Sequence, residues 1–282
     1  MNSFNKILIQ KSIKSNSKLC VGLDIDSSRL PDNFDKTING LKSFLYSVID
    51  CTTDICLAYK INLAFYERYG SSGYKLMEDI VDYIGDKNIT IADGKRGDIG
   101  NTTSKYAKSL FNQIGFDSVT VSPYMGRDSI EPFIDDPLKG AFILCLTSNK
   151  SASDIQFIEH DGKTIYENIA TLVKELNCNK NLGLVVGATQ KERMISVREA
   201  SGDMPWLIPG IGAQGGDLES SVKISCSNSS IGVINVSRGI LYYGNCSEDD
   251  IREATKSYNN KINLINVNWK RPIWFIARQR CF

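Results

Sequence analysis

Eight apolar, β-rich runs recur along this chain with helical patterns between them, and that alternation restricts the possible folds more than any other feature. The runs are Lys18–Asp24, Ile55–Asn62, Ile89–Lys95, Ser118–Pro123, Ala141–Thr147, Leu182–Ala188, Trp206–Gly212 and Ile231–Ser237. Helical patterns cover Asp32–Asp50, Tyr74–Ile84, Thr102–Ile114, Ile165–Leu176 and Lys191–Ala200, the last three with clear spacing near 3.6. Neighbouring parallel strands need a long crossover between them, and a helix supplies it. The alternation therefore predicts an α/β chain folded as a closed parallel (β/α)₈ TIM barrel, with residues 1–268 as one domain. The competitor is an open doubly wound sheet, which is weakened because no G-x-G-x-x-G follows the first run. A length of 282 residues suits one large barrel.

In such a barrel the chemistry sits at the C-terminal ends of the strands, and the unusual residues fall there. The first run ends in GLD with Asp24, the second in AYKIN with Lys60, the third in Asp93 and Lys95. The fifth passes into LTSNKSAS, the seventh into PGIGAQGGD, and the eighth ends INVSRGI. Loops after the seventh and eighth strands are the usual phosphate site of this fold, so a glycine-rich turn beside Arg238 suits an anion.

The third strand end, ADGKRGDIGNT from Ala92 to Thr102, is the densest of these segments. Asp93 and Lys95 are two apart, so an extended backbone sends both side chains from one face. Gly94 and Gly97 remove bulk between the charges, and Asp98 follows. A solvated turn would show similar residues, but the apolar Ile89–Ile91 just upstream reads as a buried strand that stops where the charges start.

Lys+Arg number 33 against Asp+Glu 32, so bulk charge gives no footprint for nucleic acid or an anionic membrane. No apolar run approaches the roughly 18 residues needed to span a bilayer. The eight cysteines include no C-x-x-C pair and read as reduced, buried thiols of a cytoplasmic protein. His160, the one histidine, reads as a loop residue, which argues against Ser-His or Cys-His catalysis and against a His-rich metal site. The N-terminus resembles a transit peptide in its lysines and serines, yet Phe4, Ile7, Leu8 and Lys11 have helical spacing and read as a helix capping the barrel base.

Taken in order, LCVGLD, YKIN, ADGKRGDIGNT, TSN and PGIGAQGGD resemble the orotidine 5′-monophosphate decarboxylase family in its KRGDIGNT form, across roughly Phe4 to Lys261. The resemblance implies conversion of orotidine 5′-monophosphate (OMP) to uridine 5′-monophosphate (UMP) and carbon dioxide, the last step of pyrimidine synthesis, without cofactor or metal. It implies a charged catalytic array of Lys60, Asp93, Lys95 and Asp98, with Asp98, Ile99 and Thr102 reaching the neighbouring subunit's site in a homodimer. By the same carry-over Asp24 binds ribose, Ser148 the pyrimidine, and Gln214 and Arg238 the phosphate. Some relatives fuse this enzyme to orotate phosphoribosyltransferase. The chain departs from the family at Lys150 and Ser151, where Pro-Gly is usual, which bears on the geometry of that loop.

The chemistry agrees with the residues. Loss of carbon dioxide from a pyrimidine carbon leaves an electron pair in an sp² orbital outside the ring π system, so the protein must supply electrostatics and a proton; a lysine such as Lys95 can do both. Other readings stay open at this point. A phosphosugar decarboxylase or aldol-type synthase using a magnesium-held enediolate would need a carboxylate near the end of strand two, where Lys60 stands. A Schiff-base aldolase would need a neutral lysine, unlike one flanked by carboxylates. A catalytically silent nucleotide-binding barrel would share the binding residues. The segment 269–282, WKRPIWFIARQRCF, does not fit the barrel pattern and reads as a linker, a truncated neighbouring domain or an end added to the chain, ahead of a membrane or partner patch.

Overall fold

The computed structural model describes residues 2–188, 190–211, 217–226 and 230–269, of 267–269 the backbone alone. Eight parallel strands close into a barrel: β1 (Leu19–Gly22), β2 (Ala58–Asn62), β3 (Ile89–Arg96), β4 (Ser118–Val121), β5 (Gly140–Leu146), β6 (Leu182–Val186), β7 (Trp206–Ile208) and β8 (Gly232–Val236). Each pairs with the next in chain order, and β8 returns to β1 through Leu19 opposite Ile234 and Cys20 opposite Asn235. The expected barrel is therefore present, with each strand inside or within one residue of its predicted run.

Side-chain alternation explains how one strand serves both core and site. Cys20, Ala58, Ile91, Phe142, Val185, Leu207 and Val233 fill the barrel interior as one buried cluster. Two residues further along the same inward faces stand Lys60, Asp93, Leu144 and Asn235, so the apolar interior turns polar at the C-terminal rim. A larger cluster, including Leu41, Phe44, Ile80, Leu184 and Trp206, lies between strands and helices. Together the two clusters hold the strand ends in fixed positions.

The helix Phe4–Ser15 plugs the other end, as its spacing predicts. Phe4 and Leu8 join the interior cluster, Phe4 meets Phe142 edge-on at 6.0 Å, and the Phe4 N–H donates to Pro137 O at 2.7 Å. A side chain at Gly140 would collide with the Phe4 ring, which explains glycine there. Among the other helices, Ile165–Leu176 matches its prediction and opens with a Thr164–Glu167 capping box.

Four sequence expectations need correction. The second helix begins at Ile38, not Asp32, because Thr37 accepts the Gly40 N–H as its N-cap. The helix expected over Thr102–Ile114 spans Gly100–Lys108 and continues as a π turn, Ser109–Gln113. His160 lies in a two-residue strand paired antiparallel with Lys163–Thr164 rather than in a loop. Cys178 is exposed, although Cys20, Cys51, Cys56, Cys145 and Cys226 are buried free thiols as expected. A 22-residue helix, Glu248–Trp269, packs along the outside; it includes the first residue of the segment read as a tail, and 270–282 lie outside the described residues. Among the described residues no helix is long and apolar enough to cross a membrane.

Candidate active site

Four charged side chains from three strand ends meet at the C-terminal mouth. Lys60 Nζ lies 3.3 Å from Asp24 Oδ1 and 3.0 Å from Asp93 Oδ2, and Lys95 Nζ lies 2.6 Å from Asp93 Oδ1. The charges run Asp24, Lys60, Asp93, Lys95 in alternating sign. Asp24 follows β1 by two residues, on a segment fixed by the Leu23 N–H donating to Lys60 O and Tyr66 Oη donating to Leu23 O. Arg96 turns away from the mouth to pair with Glu67.

Asp93 and Lys95 do not meet by regular strand geometry. The β3–β4 register shifts between Ala92 and Arg96, and Lys95 has φ +47°, a left-handed conformation that strands do not use. Thr120 on β4 stabilises this bulge: its Oγ1 accepts the Lys95 N–H at 2.9 Å and donates to Asp93 Oδ1 at 3.0 Å. Glycine at position 94 is required by close packing, because a Cβ there would strike Leu63 Cδ1.

Burial and charge oppose each other here. Burial alone would raise the Asp93 carboxyl, but the ammonium groups of Lys60 and Lys95 outweigh it and hold the group well below the usual carboxylate range. Burial alone would lower Lys60, and Asp24 and Asp93 reverse that, keeping its ammonium protonated well above the ordinary lysine value. A permanently charged Lys60 between two carboxylates cannot act as an amine nucleophile, and it repels a divalent cation from the same place.

The array forms one side of a cavity of about 430 Å³. Thr147, Ser148 and Asn149 after β5 line another side, with Leu144 and Val185 as an apolar patch, and Gly210 and Arg238 at the rim beyond β7 and β8. Arg238 opens the short helix Arg238–Leu241, two residues past the end of β8. Of the sequence-predicted residues, Asp24, Lys60, Asp93, Lys95, Ser148 and Arg238 thus share one cavity. Asp98, Ile99 and Thr102 do not line it; Ile99 and Thr102 are exposed on the loop and first helical turn beyond β3, and Asp98 accepts the Ile99 N–H at 2.8 Å. Gln214 lies outside the described residues, as do Gly212, Gly215 and Gly216 of the glycine-rich turn. Lys150 and Ser151, in place of Pro-Gly, open a 3₁₀ turn, Lys150–Asp154.

Three site residues went unnoticed in the sequence. Asn62 lines the cavity two residues after Lys60 on β2, where strand alternation puts both on one face, so that signal was available. Asn235 lines it two residues after the interior Val233; it is 6 % exposed and its Oδ1 has no partner among the described residues. Thr120 is tied to β3 only by the pairing of distant segments.

Comparison with known proteins agrees with this geometry. Residues 17–249 match the orotidine 5′-phosphate decarboxylase / HUMPS family. The orotidine 5′-phosphate decarboxylase of Dehalococcoides mccartyi (strain CBDB1) is 41% identical over 267 residues, 92% of this chain and 97% of that protein. The solved structure of Leishmania donovani OMP decarboxylase is 34% identical with a TM-score of 0.83, covering 94% of this chain and 99% of that one. The solved Leishmania donovani UMP synthase has the same identity and TM-score, but the match covers 57% of that longer chain. On this family match, this identity and this shared barrel, the chain belongs to the orotidine 5′-phosphate decarboxylase / HUMPS family.

Proposed function

We propose that this protein decarboxylates OMP to UMP and carbon dioxide, the last step of de novo pyrimidine synthesis, using its own side chains without cofactor or metal. The alternating Asp24–Lys60–Asp93–Lys95 array carries the reading, because it places Lys95, held by the Asp93 carboxylate, at the mouth of a nucleotide-sized cavity. In this reading the C6–carboxylate bond breaks and its electron pair stays on C6. The Lys95 ammonium stabilises that pair and then gives it a proton, and water restores the ammonium afterwards.

Asp93 faces the substrate carboxylate. Two like charges about 4 Å apart at an effective dielectric near 20 repel by about 4 kcal/mol, and departure of neutral carbon dioxide relieves this. Stabilisation of the carbanion by fixed charge is the larger effect and this repulsion the smaller. Arg238 and Gln214 bind the phosphate, Asp24 the ribose and Ser148 the pyrimidine, so binding energy remote from C6 holds the substrate against the repulsion. A magnesium-held enediolate is disfavoured by Lys60, whose ammonium stands where a metal-binding carboxylate would be required.

The same reading makes the active unit a cytoplasmic homodimer in which Asp98, Ile99 and Thr102 complete the partner's site. Their position outside their own cavity supports it. Association with, or fusion to, an orotate phosphoribosyltransferase is supported by the likeness to part of a UMP synthase. The test is the fall in ultraviolet absorbance as OMP is consumed, with and without a metal chelator. Undiminished turnover in chelator is expected; activity that vanishes and returns with magnesium overturns the metal-free reading.

A further inference from the structure

Gln156 lies just beyond the 3₁₀ turn after β5 and reaches back to the cavity wall. Its Oε1 accepts the Thr147 N–H at 2.9 Å, and its Nε2 donates to Thr147 Oγ1 at 2.7 Å. A backbone N–H can only donate, so the first bond fixes which way the Gln156 amide faces and thereby sets the second. Thr147 Oγ1 then has its own proton left to give, and Asn149 Oδ1 lies 2.6 Å away to receive it. The three bonds share one direction.

That direction has a consequence inside the cavity, which Thr147, Ser148 and Asn149 all line. With Oδ1 held by Thr147, Asn149 presents its Nδ2 end. Turning the amide over would set a second N–H against an oxygen already receiving one from Gln156 and would leave the threonine proton without that acceptor. Gln156 is itself well anchored. Its N–H donates to Ala152 O at 2.8 Å and its carbonyl accepts the Tyr166 N–H at 3.3 Å. The neighbouring Phe157 packs edge-on against Tyr166, with the Arg193 guanidinium 3.7 Å from the Phe157 ring centroid.

We propose that Gln156 is a positioning residue which, through the Thr147 hydroxyl, orients the Asn149 amide as a hydrogen-bond donor to the C4 carbonyl oxygen of the bound pyrimidine. This rests on the nucleotide reading above and adds a specificity to it. A 4-oxo pyrimidine offers an acceptor to Asn149, whereas a 4-amino pyrimidine offers a donor and leaves the two N–H groups opposed. The relay selects uracil-type over cytosine-type rings.

The experiment is calorimetric titration of UMP and CMP into the full-length wild-type protein and into Gln156→Glu, Gln156→Met and Asn149→Ala, with thermal midpoints for each. Both nucleotides carry the same phosphate, so the ratio of their affinities cancels any change in local charge. Glutamate still accepts the Thr147 N–H but cannot donate, so it draws the hydroxyl proton to itself and releases Asn149. Methionine removes both bonds without adding charge, and Asn149→Ala acts on an exposed loop residue.

The UMP preference is expected to fall by about five- to tenfold in all three variants, the loss of one hydrogen bond. An unchanged ratio in Asn149→Ala overturns the donor role. A ratio that falls there but not in either Gln156 variant overturns the positioning role. Equal weakening of UMP and CMP in every variant means that the loop has merely collapsed, and also overturns it. A wild-type protein that binds neither nucleotide overturns the functional reading together with this inference, whereas one that turns over OMP with an unmoved ratio in the variants overturns the inference alone.

Discussion

Lys60 and Asp93 form an ion pair at 3.0 Å in which the lysine side chain is 4 % exposed and the carboxylate 12 %. Removing one member of such a pair leaves a charge with little water to replace its partner. Lys60→Met should therefore destabilise the fold by about 3 kcal/mol, the lower end for a broken buried pair, because Asp93 keeps Lys95. Urea unfolding at pH 7 measures it. A loss under ~1 kcal/mol would mean that the pair is far better hydrated than its burial indicates.

The same pair sets a pH dependence. The folded-state value of Asp93 lies below its unfolded value, so the pair's contribution is fully present above about pH 4 and is lost as pH falls toward the depressed value. The stability difference between wild type and Asp93→Asn should be constant from neutral pH down to about pH 4 and shrink below it. A difference that stays flat down to the most acidic buffer in which both proteins fold would show that Asp93 is not held as a paired carboxylate.

Thr120 links the two catalytic candidates on β3, accepting from the Lys95 backbone and donating to the Asp93 side chain. Thr120→Val keeps the shape and removes both bonds. We expect kcat for OMP to fall by at least about tenfold, or ~1.4 kcal/mol, with UMP affinity changed far less. Thr120→Ser should recover most of the rate. Equal activity in the valine variant would assign the bulge to the backbone alone.

The barrel was legible because its signal is repeated: eight apolar runs between helices leave few alternatives, and the charges at their ends mark the functional face. Asp93 and Lys95 were legible as a pair for a reason only half right, since a left-handed Lys95 in a bulge replaces the extended backbone that the spacing suggests. Thr120 and Gln156 were not legible at all. Their roles come from contacts across β3 and β4 and across the loop after β5, where nothing in local composition distinguishes a threonine or glutamine that carries such a bond from one that faces water. The second helix start was missed because an acidic and polar stretch, Asp32–Lys36, could equally be a first helical turn until Thr37 supplies the cap.

Lys95→Ala should lose most chemistry and retain nucleotide binding, because the ammonium is needed as carbanion partner and proton donor. Single-turnover kinetics beside UMP titration separates the two. A variant keeping more than about a tenth of wild-type kcat, a loss under ~1.4 kcal/mol, would take the proton-donor role away from Lys95.

Arg238 stands at the cavity rim where the eighth strand passes into its short helix. If it grips the phosphate, Arg238→Ala should weaken UMP by at least about tenfold and uridine hardly at all, since a hydrogen bond to a charged group contributes roughly 1.5–3 kcal/mol. Equal weakening of both ligands would place the phosphate elsewhere.

Asp98 and Thr102 lie past the end of β3, outside the cavity that their own barrel forms. In a homodimer with shared sites, each site takes Lys95 from one chain and Asp98 from the other. Asp98→Ala and Lys95→Ala proteins, each nearly inactive alone, should then complement one another when mixed and allowed to exchange subunits. A mixed dimer has one site with both defects and one with neither. At equal amounts about half the dimers are mixed and each has one intact site of two, so activity should recover to roughly a quarter of wild type per subunit. Exchange is followed independently by mass spectrometry of differently tagged chains. Proven exchange without returning activity would assign Asp98 to its own chain and remove the shared site.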